Sequence, residues 1–124
     1  GYWLPRGDIR IIFFGDLVDA NNGTKTVKVK LTDSAGAPTT ETFTVVPAAD
    51  YANGTNWFGE LVLMNTTPTT QRAFGSCTAG TVVTTLGDPG LSLDTTTAIT
   101  VQVTGECSDG ADSITQRGLK IVPY

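Results

Sequence analysis

The sequence predicts an all-β fold: an antiparallel two-sheet sandwich of jelly-roll type with about eight strands. Three observations carry this. Apolar and polar residues alternate at period 2 in segment after segment, the pattern of a half-buried strand. Most of the fourteen glycines and six prolines fall between those segments. Charged residues make up only 16% of the chain, and threonine, which is β-branched and favours strands, is abundant. The nearest helical candidate, around Ala48 to Tyr51, is one turn at most.

The elements follow in order. DIRIIFFGDLV, Asp8 to Val18, is an almost continuous apolar run and predicts a first strand buried on both faces. Asn22-Gly23 is a hairpin-turn signal, since both residues tolerate positive φ. Thr24 to Leu31 alternates cleanly, with Val27, Val29 and Leu31 toward the core and Thr26, Lys28 and Lys30 outward. TDSAGAP breaks the chain. Thr39 to Val46 resumes the alternation with Phe43 and Val45 inward, and PAADYANGT reads as a longer loop.

Asn56 to Asn65 is a strand with Trp57, Leu61 and Leu63 on its core face. Phe58, Val62 and Met64 share the other face with Glu60, and that face is too apolar for open water, so a partner is expected to cover it. QRAFGSCTAG and TVVTTL predict two shorter strands, and GDPGLSLDTTT a loop. Ala98 to Cys107 places Ile99, Val101 and Val103 inward. Ser113 to Tyr124 closes the chain, with a kink at Gly118. Residues 1–124 read as one domain, with 1–7 as a short N-terminal arm.

Composition narrows the function classes. The net charge is −4 and no basic stripe is present, so nucleic-acid binding is not expected. No apolar run approaches the roughly twenty residues of a helical membrane span. The chain has no histidine, which removes Ser-His-Asp and Cys-His arrangements and the commonest metal ligand. Glycine-rich phosphate loops and nucleophile elbows are also missing. The acids sit mostly beside turn formers, and neither an enzyme activity nor a cofactor is expected.

Several sharper motifs weigh against plainer ones. Asp109 and Asp112, with Asp88, suggest a calcium site, but the spacing fits neither the EF-hand loop nor a calcium β-roll repeat, and a turn held by its own Asx bonds is expected. Asn22, Asn53 and Asn65 head N-x-T sequons, which hairpin turns in a threonine-rich chain also generate. Cys77 and Cys107 are read as free thiols or as a disulfide between neighbouring strands. Trp3, Tyr51, Trp57 and Tyr124 suggest a sugar platform; Trp57 is read instead as core. Arg6-Gly7-Asp8 resembles an adhesion tripeptide, yet it leads directly into the most apolar strand and reads better as a hinge.

TTTAITVQVTGECSDGADSITQRGLKIVPY, Thr95 to Tyr124, resembles the C-terminal segment of a jelly-roll module of tailed-bacteriophage virion proteins. Such modules end on a strand like ITVQVTG, a polar turn, DSIT and a closing apolar strand. IRIIFFGDLVDANNGTKTVKVKL looks like the module's opening hairpin, and NWFGELVLMNT like its Trp-led middle strand. The two cysteines and the RGL turn depart from the pattern. The resemblance implies a structural part of a virion, most simply a cement or decoration protein on the outside of the major capsid protein shell. It would be a homotrimer on the capsid surface, assembled in the bacterial cytoplasm. A receptor-binding fibre knob is the alternative, but the stalk expected before a knob is not among these 124 residues. An extracellular adhesion or carbohydrate-binding module is the third reading. Trp3, Leu4, Phe58, Met64 and Tyr124 are the expected partner contacts.

Overall fold

The computed structural model describes residues 8–87 and 90–123. Strands β1 (Asp8–Val18), β2 (Lys25–Thr32), β3 (Thr40–Ala49), β4 (Asn56–Thr67), β5 (Thr70–Ala79), β6 (Val82–Leu86), β7 (Thr100–Cys107) and β8 (Ser113–Pro123) follow one another. One sheet has five strands in the order β6-β5-β4-β1-β8; the other has three in the order β3-β2-β7. All pairs within both sheets are antiparallel. The described residues contain no helix, and the molecule is the two-sheet β-sandwich its sequence predicts. β1 pairs with β8 and β4, β2 with β7 and β4 with β5, while β3 and β6 approach each other across the two sheets. The predicted arm at 1–7 lies outside the described residues, as do Arg6 and Gly7 of the tripeptide.

One core fills the space between the sheets. Ile11, Phe13 and Leu17 of β1 and Trp57, Leu61 and Leu63 of β4 meet Val27, Val29 and Leu31 of β2, with Phe43, Val45 and Val46 of β3. The rings of Phe13 and Trp57 lie 6.4 Å apart at 36°. Alternation assigned Val27, Val29, Leu31, Phe43, Val45, Trp57, Leu61 and Leu63 inward; the face of the β1 residues and the burial of Val46 come from the structure. Ile99 is buried just before β7, and Val101 and Val103 are partly buried at that edge.

Three expectations are corrected. β1 is not buried on both faces: Phe14 and Val18 are exposed, because no layer covers the outer side of the five-stranded sheet. Its apolar run instead marks a strand paired on both edges, with β4 and with β8. Asn22-Gly23 does not close a hairpin. β1 and β2 lie in different sheets, so the loop is an arch between layers, with positive φ at Asn22 (57°). β3 runs on through Pro47 to Ala49, where a loop was expected. It is an edge strand, so the missing amide of proline is tolerated. A register shift there places Val46 opposite Val27 and Thr44 opposite Lys28, and both Val45 and Val46 turn inward. The expected kink is present: β8 shifts register between Gly118 and Gln116.

Candidate functional site

The uncovered face of the five-stranded sheet is the candidate site. Register makes it explicit. Phe14, Phe58, Thr78 and Val83 align across β1, β4, β5 and β6, with Gly118 of β8 opposite Phe14. The next row is Lys120, Ile12, Glu60, Ser76 and Thr85. Beyond it come Val122, Arg10, Val62 and Phe74, then Asp8, Met64 and Arg72. Because every strand places alternate residues on opposite faces, burying Phe13, Trp57 and Cys77 in the core forces Phe14, Phe58 and Thr78 outward.

The exposure on this face is large. Phe58 is 57% exposed, Phe74 53%, Val83 66% and Phe14 43%. Single exposed apolar residues are ordinary, but a contiguous set on a flat sheet marks an interaction surface. Local packing keeps the patch low. A Cβ built at Gly118 would lie 2.3 Å from Phe14 Cε1, so the Phe14 ring rests over Gly118. Near the middle of the face Arg10 and Glu60 form an ion pair: Arg10 Nε is 2.6 Å from Glu60 Oε1, and Arg10 Nη2 donates to Glu60 Oε2 at 2.7 Å. At the rim Arg117 Nη2 lies 2.7 Å from Asp16 Oδ2.

Of the expected partner contacts, Phe58 and Met64 are both exposed on this face. Trp3, Leu4 and Tyr124 lie outside the described residues. Sequence reasoning did not single out Phe14, Phe74 or Val83. The signal existed only for Phe14, hidden in a run in which every residue was assigned to burial. Phe74 and Val83 sit on strands whose neighbours become known only once the sheet order is known.

A second polar cluster lies where the β1–β2 arch meets the β7–β8 turn. Lys25 is fully buried, on the same face of β2 as Val27 and Val29. Its Nζ donates to Asp19 Oδ1 at 2.9 Å, the Gly23 carbonyl at 2.8 Å and Asp50 Oδ1 at 3.3 Å, and lies 3.7 Å from Asp112 Oδ2. Burial alone would push its pKa down; the carboxylates of Asp19, Asp50 and Asp112 outweigh that and raise it. Asp112 accepts from the amides of Ala20, Asn21 and Gly23. The Asn21 amide above all, then those of Ala20 and Gly23 and the Lys25 charge, holds it below the usual carboxylate range against the opposing effect of burial.

Of the acids that suggested calcium, Asp109 and Asp112 hold the turn and the arch here, and Asp88 lies outside the described residues. Asp109 makes the expected Asx bond, Oδ1 accepting from the Ala111 amide at 2.8 Å. Asp112 does not cap its own turn; it clamps the neighbouring arch, and the Lys25 ammonium takes the position a cation would need. No group of three or more acidic or cysteine side chains among the described residues is arranged to hold a metal. Lys25 was overlooked in the sequence, although the alternation that turned Val27 inward extends to it.

The remaining motifs resolve structurally. Tyr51 and Trp57 are buried, so they form no sugar platform; Tyr51 Oη donates to the Pro47 carbonyl at 2.6 Å. Asn65 is buried, with Nδ2 donating to Thr95 Oγ1 at 2.8 Å, so its sequon is closed in the folded chain. Cys77 and Cys107 are free thiols on strands of different sheets. Burial pushes Cys77 up to about 11, which leaves it inert. Among the described residues no helix is long and apolar enough to cross a membrane. No protein-family model, curated protein or solved structure matches the chain.

Proposed function

We propose that this chain is a non-enzymatic assembly protein of a virion, a capsid cement protein that binds the outside of the major capsid shell as a homotrimer. The observation that carries the assembly reading is the exposed face bearing Phe14, Phe58, Phe74 and Val83. An exposed apolar sheet face suits protein–protein contact, and the depression between Phe14 and Phe58, lined also by Asp16, Asn56 and Trp57, is shallow and open. The virion reading is supported by the resemblance of Thr95 to Tyr124, with Asn56 to Thr66, to the phage jelly-roll module. The β1–β2 arch weakens the part of that resemblance drawn from an opening hairpin. A cement protein works by bridging neighbouring shell subunits, so binding energy from many modest contacts is its whole mechanism. Co-sedimentation with tailed-phage capsid shells stripped of their decoration protein tests the proposal. Saturable occupancy with raised heat resistance of the shells is expected. Absence of the protein from the shell pellet would overturn it; binding to host cells instead would identify a receptor-binding knob.

A further inference from the structure

We infer that the sandwich is sealed along its β7–β8 side by the chain's own N-terminal segment, with Trp3 and Leu4 seated in the apolar seam between those two edge strands. The inference stands apart from the assembly reading.

The seam is an opening into the core. β8 is an edge of the five-stranded sheet and β7 an edge of the three-stranded one, and residues 108–112 join them at one end. Leu119 and Ile121 of β8 stand opposite Phe13 and Ile11, both fully buried, so they belong to the inner face of their sheet. Yet Leu119 is 36% exposed and Ile121 46%. On β7, Val101 and Val103 stand opposite Leu31 and Val29 and are only partly buried. A cleft of about 190 Å³ enters between the two strands and reaches Val27 and Trp57. The other side of the sandwich is closed: β3 approaches β5 and β6, and Leu86, Leu91 and Leu93 are buried. Among the described residues nothing does the same for β7 and β8.

The point where the chain enters the fold selects the occupant. β1 begins at Asp8, and Ile9 stands opposite Pro123 at the end of β8. Residues 1–7 therefore join the fold at the end of the seam away from the 108–112 connection, where Ile121 lies. Their length permits the contact. Ile121 is three residues along and one strand across from Asp8, roughly 11 Å away at about 3.4 Å per residue and about 4.8 Å between strands. Trp3 stands five residues before Asp8, a reach of roughly 17 Å. Composition fits as well. Tyr2, Trp3 and Leu4 are consecutive large side chains with apolar bodies, and Pro5 and Gly7 supply the bend that turns the segment back along β8. The Arg6-Gly7-Asp8 tripeptide is then the hinge of a strap. A second copy of the chain presents the same concave seam and cannot fill it. A single extended segment lies along the free edge of β8 and also blunts it against pairing with foreign strands.

The test is nuclear Overhauser spectroscopy on the full chain with labelled isoleucine and leucine methyls. Contacts from the Trp3 indole protons to the Ile121 and Leu119 methyls are expected. Contacts to Met64 on the outer face instead overturn the inference. So does a Trp3 that touches neither seam methyl, which leaves the seam to a partner protein. A mixture of labelled and unlabelled chains separates one copy from two: contacts that arise only between copies overturn it and assign the seam to a neighbour's segment. Urea denaturation gives the second readout. Trp3→Ala is expected to lower the midpoint, and that loss to shrink to about half or less when Ile121→Ala is already present, because the two side chains touch. Equal losses in both backgrounds overturn the inference. Leu4→Ala takes the place of Trp3→Ala if that variant fails to fold.

Discussion

Gly15 shows how tightly a single position is held. A Cβ there would stand 2.0 Å from the Thr115 carbonyl oxygen and 2.4 Å from Trp57 Cζ2. Backbone and an indole in the core cannot both move aside, so Gly15→Ala is expected to cost about 1–3 kcal/mol by overpacking. Urea denaturation measures it, with Gly36→Ala as the control, since nothing lies within 4 Å of a Cβ at Gly36. In the sequence Gly15 is one letter in an apolar run and carries no sign of this role. The constraint comes from β8, about a hundred residues later, whose register shift brings Thr115 to it. Trp57 was legible as core because its side chain shares a face with Leu61 and Leu63, a relation local to one strand.

At the scale of the element, residues 90–99 ahead of β7 form no long strand, yet they are firmly anchored. Leu93 is fully buried, its amide donates to Gln71 Oε1 at 2.9 Å, and its carbonyl accepts from Gln71 Nε2 at 2.8 Å. Gln71 Nε2 also donates to Asn65 Oδ1, and Thr95 Oγ1 donates to the Pro68 carbonyl. A side-chain amide thus does for this loop what a partner strand does elsewhere, satisfying buried backbone groups. Leu93→Ala is expected to lose about 2–5 kcal/mol, as for a leucine within the sheets, with a matching drop in Tm by calorimetry. The sequence reads this stretch as a loop, which it is. Its burial was not legible, because the phase of β4 and β5 turns Asn65 and Gln71 inward but does not say that the loop lies against them.

At the scale of the whole molecule, the two sheets are joined by carboxylate clamps at opposite ends of β2. Asp112 grips the β1–β2 arch near Lys25. Asp33, beyond Thr32, accepts from the amides of Asp94, Thr39 and Ala35. Those amides, Asp94 first, hold Asp33 below the ordinary carboxylate range although burial opposes them. A carboxyl with a depressed folded-state pKa stabilises the fold above its unfolded value, near 3.8, and loses that contribution as pH falls through the folded value. Tm is therefore expected to fall steeply below about pH 4, and Asp112→Asn with Asp33→Asn to flatten that limb while lowering Tm at neutral pH. A slope unchanged in the double variant would show that the acid sensitivity lies elsewhere. Lys25 acts at the other extreme: its raised pKa means its contribution is complete below 10.5 and is lost as pH climbs through the elevated value. The class of fold, its strands and most of its core are legible in the chain, because period-2 alternation and turn chemistry are local. Which sheet each strand joins, the span of the Asn22-Gly23 loop between layers, the burial of Lys25 and the shared open face of Phe14, Phe58, Phe74 and Val83 come only with the fold. Those facts depend on strand order, and strand order is set by packing between residues far apart in the chain.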